Sequence, residues 1–358
     1  MKILQVITLS ETGGAQSVVI ELSNESVKMG HELFVAAKSG GPMWDLLHED
    51  IKKIECDDFA REINPLKDIK SFFFLKKTIK TLKPDIIHLH TSKIGALGRL
   101  AAFPFFSKKV VYTVHGFDQI LKAHRIFLPV EKLLKNCCAK IVAASRYDEK
   151  NLLLHKIRNI EVACNAVGDK KDIPCDDATA EKICLCANGK KIIMSIARTA
   201  KPKRFDLFIK IAQKLPQYCF IWIGNDKPAE NLPQNMHCLG EIPNAGCYNT
   251  YADLFILLSN HEGLPVSIIE ALSCGVPVLA SDVGGVSEIL DNSCGYALEN
   301  DENLFAKKIE EIFSDEAMFQ NLKQGARKKY EAMFTIDKMV QAYAHIYTEI
   351  MKKNLSCN

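Results

Sequence analysis

The stretch His261–Pro277, HEGLPVSIIEALSCGVP, sets two carboxylates, Glu262 and Glu270, around an apolar run opened by Gly263-Leu264-Pro265. Pro265 suits the first turn of a helix, where its missing N–H would be unpaired anyway. A helix starting there runs through Val266, Ser267 and Glu270 and stops at Gly275, a natural cap. The preceding ADLFILLS is a continuous apolar run of strand length. Glu262 then occupies the loop at a strand's carboxyl end, and Glu270 lies about a turn and a half into the next helix. Backbone N–H groups near Val266 and Ser267 are left free to hold an anion.

The strand–loop–helix rhythm recurs along the chain. ILQVIT, HELFVAA, IIHLH, KVVYTV and KIVAAS mark strands in the first half, and KIIMSIA, CFIWIG, ADLFILL and PVLAS in the second. Apolar runs buried on both faces and separated by amphipathic helices predict parallel sheets built from βαβ units. Between them GDKKDIPCDDATAEKICLCANGKK is polar and rich in turn residues, so we read two doubly wound α/β domains: residues 1–168 and 169–339. The last segment, TIDKMVQAYAHIYTEIMKKN, predicts a long amphipathic helix. Two domains suit 358 residues. Ligands of such sheets bind outside the carboxyl ends of the strands, in a cleft if the two domains face each other.

Bulk properties narrow the class. With 47% hydrophobic and 25% charged residues the chain is an ordinary globular protein. Its 13 cysteines lack paired zinc-ligand spacing and read as reduced thiols. No secretory leader or run of spanning length is evident, and the expected location is the cytoplasm. The net charge of +3 is uneven: residues 1–170 carry 26 basic against 19 acidic residues, and the remainder 20 against 24. The first half is thus expected to face something anionic.

Three further pieces sit at predicted strand ends. In SIARTAKPKRFD, Arg198 and Lys203 follow a strand; an arginine fork and a lysine point charge suit phosphate oxygens, although a solvated basic loop is equally consistent. In TLSETGGAQ, Gly13-Gly14 lies between the first strand and first helix, where backbone can approach a ligand, but the full G-x-G-x-x-G spacing is missing. In YTVHGFDQ, His115 ends a strand, placed either to meet a substrate hydroxyl and carry a proton or simply to cap. His88 and His90 share one face of IIHLH, and we assign them structural roles. An acid on each side of a phosphate site fits a molecule with hydroxyls on both sides of a diphosphate, as in a sugar nucleotide.

Together these pieces resemble the retaining, metal-independent family-4 glycosyltransferases of the GT-B fold. The resemblance runs through GGAQ, HLHTSKIGALGRLAA, YTVHGF, ARTAKPKRFD, MHCLGEIPN and EGLPVSIIEALSCGVPVLASDVGGVSEIL to the closing helix. It implies that Glu270 binds ribose hydroxyls and Glu262 the donor sugar, with Gly263, Leu264, Pro265, Val266 and Ser267 forming the phosphate-binding turn. Arg198 and Lys203 would stabilise the departing diphosphate, and no metal or other cofactor is implied. Gly13 and Gly14 would bring backbone to the phosphates or acceptor, His115 would reach the donor sugar or relay the acceptor proton, and the segment around Gly240 would flank the nucleobase. The closing helix, about residues 340–358, would cross back to the first domain. One departure is CNAVGD, where Ala166 replaces a glycine common in the family near the interdomain turn.

The implied activity is transfer of a hexose or N-acetylhexosamine from a UDP- or GDP-sugar to a glycan or polyprenyl-diphosphate-linked acceptor, for capsule or another surface polysaccharide. A sugar-nucleotide 2-epimerase of the same fold and a non-catalytic sugar-nucleotide binder are the other readings. LKDIKSFFFLKKTIKTLK carries six lysines, one aspartate and Phe72-Phe73-Phe74; AAFPFFSKK adds Phe103, Phe105, Phe106, Lys108 and Lys109. Basic and aromatic residues together suit an anionic membrane surface reached through the Lys67–Lys83 region, making the protein peripheral, unless the phenylalanines are core. Nothing in the pattern calls for nucleic acid.

Overall fold

The computed structural model describes residues 1–117, 128–199, 201–225 and 231–355. The chain divides into two compact units, Met1–Ala166 with Ile336–Asn358, and Val167–Thr335. Both crossing points fall slightly earlier than the sequence breaks: the Val167 N–H donates to Phe334 O, and Val167 forms a parallel bridge with Thr335.

The first unit is a seven-stranded parallel sheet: β1 (Lys2–Val6), β2 (Glu32–Ala37), β3 (Lys52–Glu55), β4 (Ile86–His90), β5 (Val110–Val114), β6 (Lys140–Ala143) and β7 (Ile160–Val162). Its order is β3-β2-β1-β4-β5-β6-β7, so the winding reverses between β1 and β4. Helices α1 (Gly14–Lys28), α2 (Pro65–Leu82), α3 (Ser92–Ala102), α4 (Leu128–Leu134) and α5 (Arg146–Leu154) provide the crossovers. The period-two alternation of a strand divides β1 between two cores. Ile3 joins Val18, Val19 and Leu22 of α1, whereas Leu4 and Val6 join Leu75 and Ile79 of α2.

In the second unit the strands are β8 (Ile192–Ile196), β9 (Cys219–Ile223), β10 (Met236–Cys238), β11 (Leu254–Leu257), β12 (Val278–Ser281) and β13 (Gly295–Leu298), ordered β10-β9-β8-β11-β12-β13. Here the winding reverses between β8 and β11. The helices are α6 (Asp177–Ala187), α7 (Phe205–Lys214), α8 (Val266–Ser273), α9 (Val286–Ile289), α10 (Glu302–Ser314) and α11 (Glu316–Met333). Along β9 the alternation is complete: Phe220 and Trp222 pack with α7, while Cys219, Ile221 and Ile223 pack with Ile183 of α6.

The polar break in the sequence is not a plain linker. Asp176 caps α6 by accepting from Thr179 N at 2.9 Å, and Asn188 ends it in the left-handed conformation. The last helix, α12 (Ile336–Leu355), belongs to the first unit. Met339, Val340, Tyr343, Ile346, Tyr347 and Ile350 recur at helical spacing and bury against the α1 side of the first sheet.

Candidate functional site

In each unit most of the predicted site residues follow the carboxyl ends of the strands where the winding reverses, the usual ligand position in open α/β sheets, while His115 follows β5 and Gly240 follows β10.

In the second unit these strands are β8 and β11. The loop after β8 is laid along the loop after β11: Arg204 N donates to Leu258 O at 3.0 Å and Asn260 N to Pro202 O at 3.1 Å. Lys203 therefore pairs with Ser259, and its ammonium reaches the Glu262 carboxylate, which also accepts from Ser259 Oγ. Both charged side chains are largely buried, at 19% and 12% exposure, so water screens the pair little. A closed polar ring holds Ser259 from behind. Its N–H donates to Ser281 Oγ (2.8 Å), Ser281 donates to Asn300 Oδ1 (2.5 Å), and Asn300 Nδ2 returns to Ser259 O (2.9 Å). Arg198, five residues ahead of Lys203, is exposed and makes no ion pair or hydrogen bond among the described residues.

Glycines bring the neighbouring loops close. Gly285 N donates to Gly263 O at 2.9 Å, and a Cβ on Gly284, at φ +62°, would stand 1.8 Å from Glu262 O. Gly240, at φ +83°, accepts from Gly224 N (2.8 Å), and its own N–H donates to Asn225 Oδ1 (2.9 Å). The loops beyond β9 and β10 are thereby tied.

Helix α8 begins one residue later than the sequence suggested: Pro265 is its N-cap, not its first turn. A proline side chain cannot accept a hydrogen bond, and among the described residues no side chain caps this end. The first N–H groups are thus left for a ligand anion, with the helix dipole behind them. Leu264 and Pro265 are buried under the turn; Gly263, Val266 and Ser267 are half-exposed. Glu270, further along α8, lies over Gly246, where an added Cβ would come 2.8 Å from its carboxyl carbon. Lys170 Nζ stands 4.0 Å from Glu270 Oε1.

Sequence reading missed Lys170, Ser259, Gly246 and the Ser281–Asn300 clamp. Lys170 fell in the polar break, and the others lack any local pattern; only the crossing of loops distant in sequence gives them a role.

In the first unit the reversal strands are β1 and β4. Gly13 and Gly14 are exposed at the start of α1, with Gly13 as an N-cap that brings no capping side chain. Gln16 holds this turn to the loop after β1 by donating to Leu9 O at 3.2 Å. Thr8 Oγ1 and Thr91 Oγ1, beyond the two strand ends, meet at 2.6 Å. His115 follows β5, partly exposed, with its Nε2 3.0 Å from His90 Nδ1. Burial holds its pKa down at about 4, and nearby Asn165 opposes the shift in part. Asp118 and Gln119 of YTVHGFDQ, and Ala200 beside Arg198, lie outside the described residues.

Two Rossmann-like parallel-sheet units make up the GT-B architecture, and the second carries a carboxylate–lysine pair beside an uncapped helix start. Comparison with known proteins agrees. Residues 12–170 match the model described as Glycosyltransferase Family 4, and residues 178–329 that described as Glycosyl transferases group 1. An Escherichia coli O-antigen biosynthesis glycosyltransferase, WbnH, is 30% identical, with 95% of this chain and 97% of the relative covered. Another E. coli protein, a UDP-Gal:alpha-D-GlcNAc-diphosphoundecaprenol alpha-1,3-galactosyltransferase, is 26% identical over 98% of this chain and 97% of its own. Among solved structures, Anabaena Alr3699/HepE with UDP-glucose superposes with a TM-score of 0.82 at 19% identity, over 98% of this chain and 100% of that one. The chain belongs to the family-4 glycosyltransferases. Membership selects transfer from the three readings that the residues alone left open.

Proposed function

We propose that the protein moves a hexose or N-acetylhexosamine from a UDP-sugar, with retention of configuration, to a glycan or polyprenyl-diphosphate-linked acceptor in surface-polysaccharide biosynthesis. The observation that carries this reading is the Lys203–Glu262 pair, four residues ahead of an uncapped helix start that also bears Glu270. The diphosphate takes the α8 N–H groups, and Arg198 and Lys203 supply positive charge to the leaving group, so that no metal ion is needed. Glu262 accepts from donor-sugar hydroxyls and Glu270 from the ribose, while the Gly240 segment borders the base. Gly13 and Gly14 present backbone to phosphates or acceptor, and His115 meets the donor sugar or the acceptor proton. No protein nucleophile is assigned; a donor phosphate oxygen helps deprotonate the acceptor. WbnH supports a polysaccharide role, and the galactosyltransferase, named for UDP-Gal and a diphosphoundecaprenol-linked sugar, supports the donor and acceptor classes.

The acceptor class favours a membrane surface, and no described helix is long and apolar enough to cross one. The phenylalanine clusters divide between the two sequence readings. Phe72, Phe74 and Phe106 pack against the core, whereas Phe73, Phe103 and Phe105 are exposed. On α2, Leu66, Ile69 and Phe73 form one stripe that continues into Lys76, Lys77 and Lys80, all exposed. An apolar stripe followed by lysines suits an anionic headgroup layer at the inner face of a membrane.

The test is product analysis with UDP- and GDP-sugars, with and without a polyprenyl-diphosphate-linked acceptor. UDP release that needs acceptor, gives an α-linked product from an α-donor and survives EDTA supports all parts. An inverted product refutes retention, and loss in EDTA refutes metal independence. Sedimentation with anionic liposomes, weakened by Phe73→Ser with Lys76→Glu, checks the membrane face; no sedimentation of the wild type ends that part.

A further inference from the structure

Seven polar side chains of the first unit form one buried chain of hydrogen bonds that leads to His115. His115 Nε2 meets His90 Nδ1 at 3.0 Å, and His90 Nε2 meets Gln5 Oε1 at 2.7 Å. Gln5 Nε2 donates to Tyr347 OH (3.3 Å), which meets His88 Nδ1 (2.7 Å). His88 Nε2 meets Thr113 Oγ1 (2.7 Å), and Thr113 meets Tyr343 OH (3.1 Å). Apart from His115, every member is almost wholly buried. Two members come from α12, far away in sequence.

The amide of Gln5 gives the chain a direction, because its oxygen only accepts and its nitrogen only donates. Gln5 Oε1 requires a proton on His90 Nε2. A neutral His90 then offers a bare Nδ1, which requires a proton on His115 Nε2. His115 in turn, when neutral, keeps a bare Nδ1, a buried ring atom, with Asn165 the polar side chain beside the ring. On the other side, Gln5 Nε2 occupies a lone pair of Tyr347, whose hydroxyl proton goes to His88 Nδ1. His88 donates from Nε2 to Thr113, which donates to Tyr343. Each of these six hydrogen bonds has one donor and one acceptor with neutral rings. Burial, which pushes His88 and His90 well below the usual histidine range, keeps them so.

We infer that Gln5 and His90, backed by Tyr347 of the closing helix, are positioning residues that hold His115 as its Nε2–H tautomer and leave Nδ1 as its one acceptor. Nδ1 can then only accept a hydrogen bond, never donate one. The structural assignment given to His88 and His90 by sequence is extended: His90 acts through His115. This inference rests on the proposed role of His115 at the substrate.

The experiment uses the full-length protein labelled with 15N-histidine, recording ring-nitrogen long-range correlations near neutral pH, with His115 assigned by loss of its signals in His115→Gln. The expected wild-type pattern has a protonated Nε2 and a bare Nδ1. His90→Asn keeps an acceptor oxygen at the position of Nδ1 and a donor amide beside it, so it should preserve the pattern and most of kcat. His90→Phe should give mixed tautomers and lower kcat by about tenfold, with donor KM nearly unchanged. A protonated Nδ1 in the wild type overturns the inference without needing any variant. Equal kcat in His90→Asn and His90→Phe, both folded, overturns it too. Wild-type turnover by His115→Ala would instead remove the role of His115 at the substrate, whatever the spectrum shows.

Discussion

At the scale of single residues, the second unit's site is a balance of charges. Lys203 is partnered by Glu262 while Arg198 is exposed, so the two cations are not equivalent. Both should nevertheless act on the leaving group. Arg198→Ala or Lys203→Ala is expected to lower kcat by about a hundredfold or more, with a smaller change in donor KM, because the loss falls where charge develops. Wild-type turnover in either variant would sink that role. Gly246 separates packing from chemistry. The three atoms nearest an alanine Cβ there all belong to the Glu270 carboxylate, the far end of a flexible side chain. Gly246→Ala should therefore raise donor KM severalfold while the melting temperature hardly moves; steady-state kinetics beside a thermal melt checks both. Spacing made Glu262 and Glu270 legible in the sequence, but Gly246 and Lys170 were not, since nothing local marks a residue whose role is to sit beside another one.

At the scale of elements, α8 is held at its far end by α11. Arg327 Nη1 and Nη2 fork onto the two carboxylate oxygens of Asp169 at 2.8 and 2.6 Å, and Nη1 also donates to Ser273 O, the last residue of the helix. A cation at a helix C-terminus also complements the helix dipole. Arg327→Ala is expected to cost about 1–3 kcal/mol of second-unit stability and to raise donor KM by loosening Glu270. A urea titration and donor kinetics measure the two effects; a variant unchanged in both refutes the clamp. Central strands were legible because their apolar runs are continuous. The edge strands β3, β7 and β13 were missed: Lys52–Glu55 is mostly exposed, and a short solvated strand has no apolar signature.

For the whole molecule, the buried histidines make stability depend on pH. His88 and His90 are pushed down by burial, and His115 is held at about 4 against 6.5 for an ordinary histidine. Below about 6.5 the unfolded chain takes up protons that the folded first unit refuses, so unfolding becomes easier as pH falls. The urea midpoint of that unit should drop between about pH 7.5 and about pH 5, and replacing His115 with glutamine should flatten part of the slope. A midpoint that rises on acidification contradicts it. By itself, the sequence determined the βαβ repetition, the division into two parallel sheets and the strand-end positions of Glu262, Lys203 and His115. These follow from periodicity and chain direction, which are local. Only the tertiary structure decided which charges meet, that α12 brings Tyr343 and Tyr347 beneath β4 and β5, and which nitrogen of His115 is bare. Those depend on groups hundreds of residues apart being buried together, where every proton must find a partner.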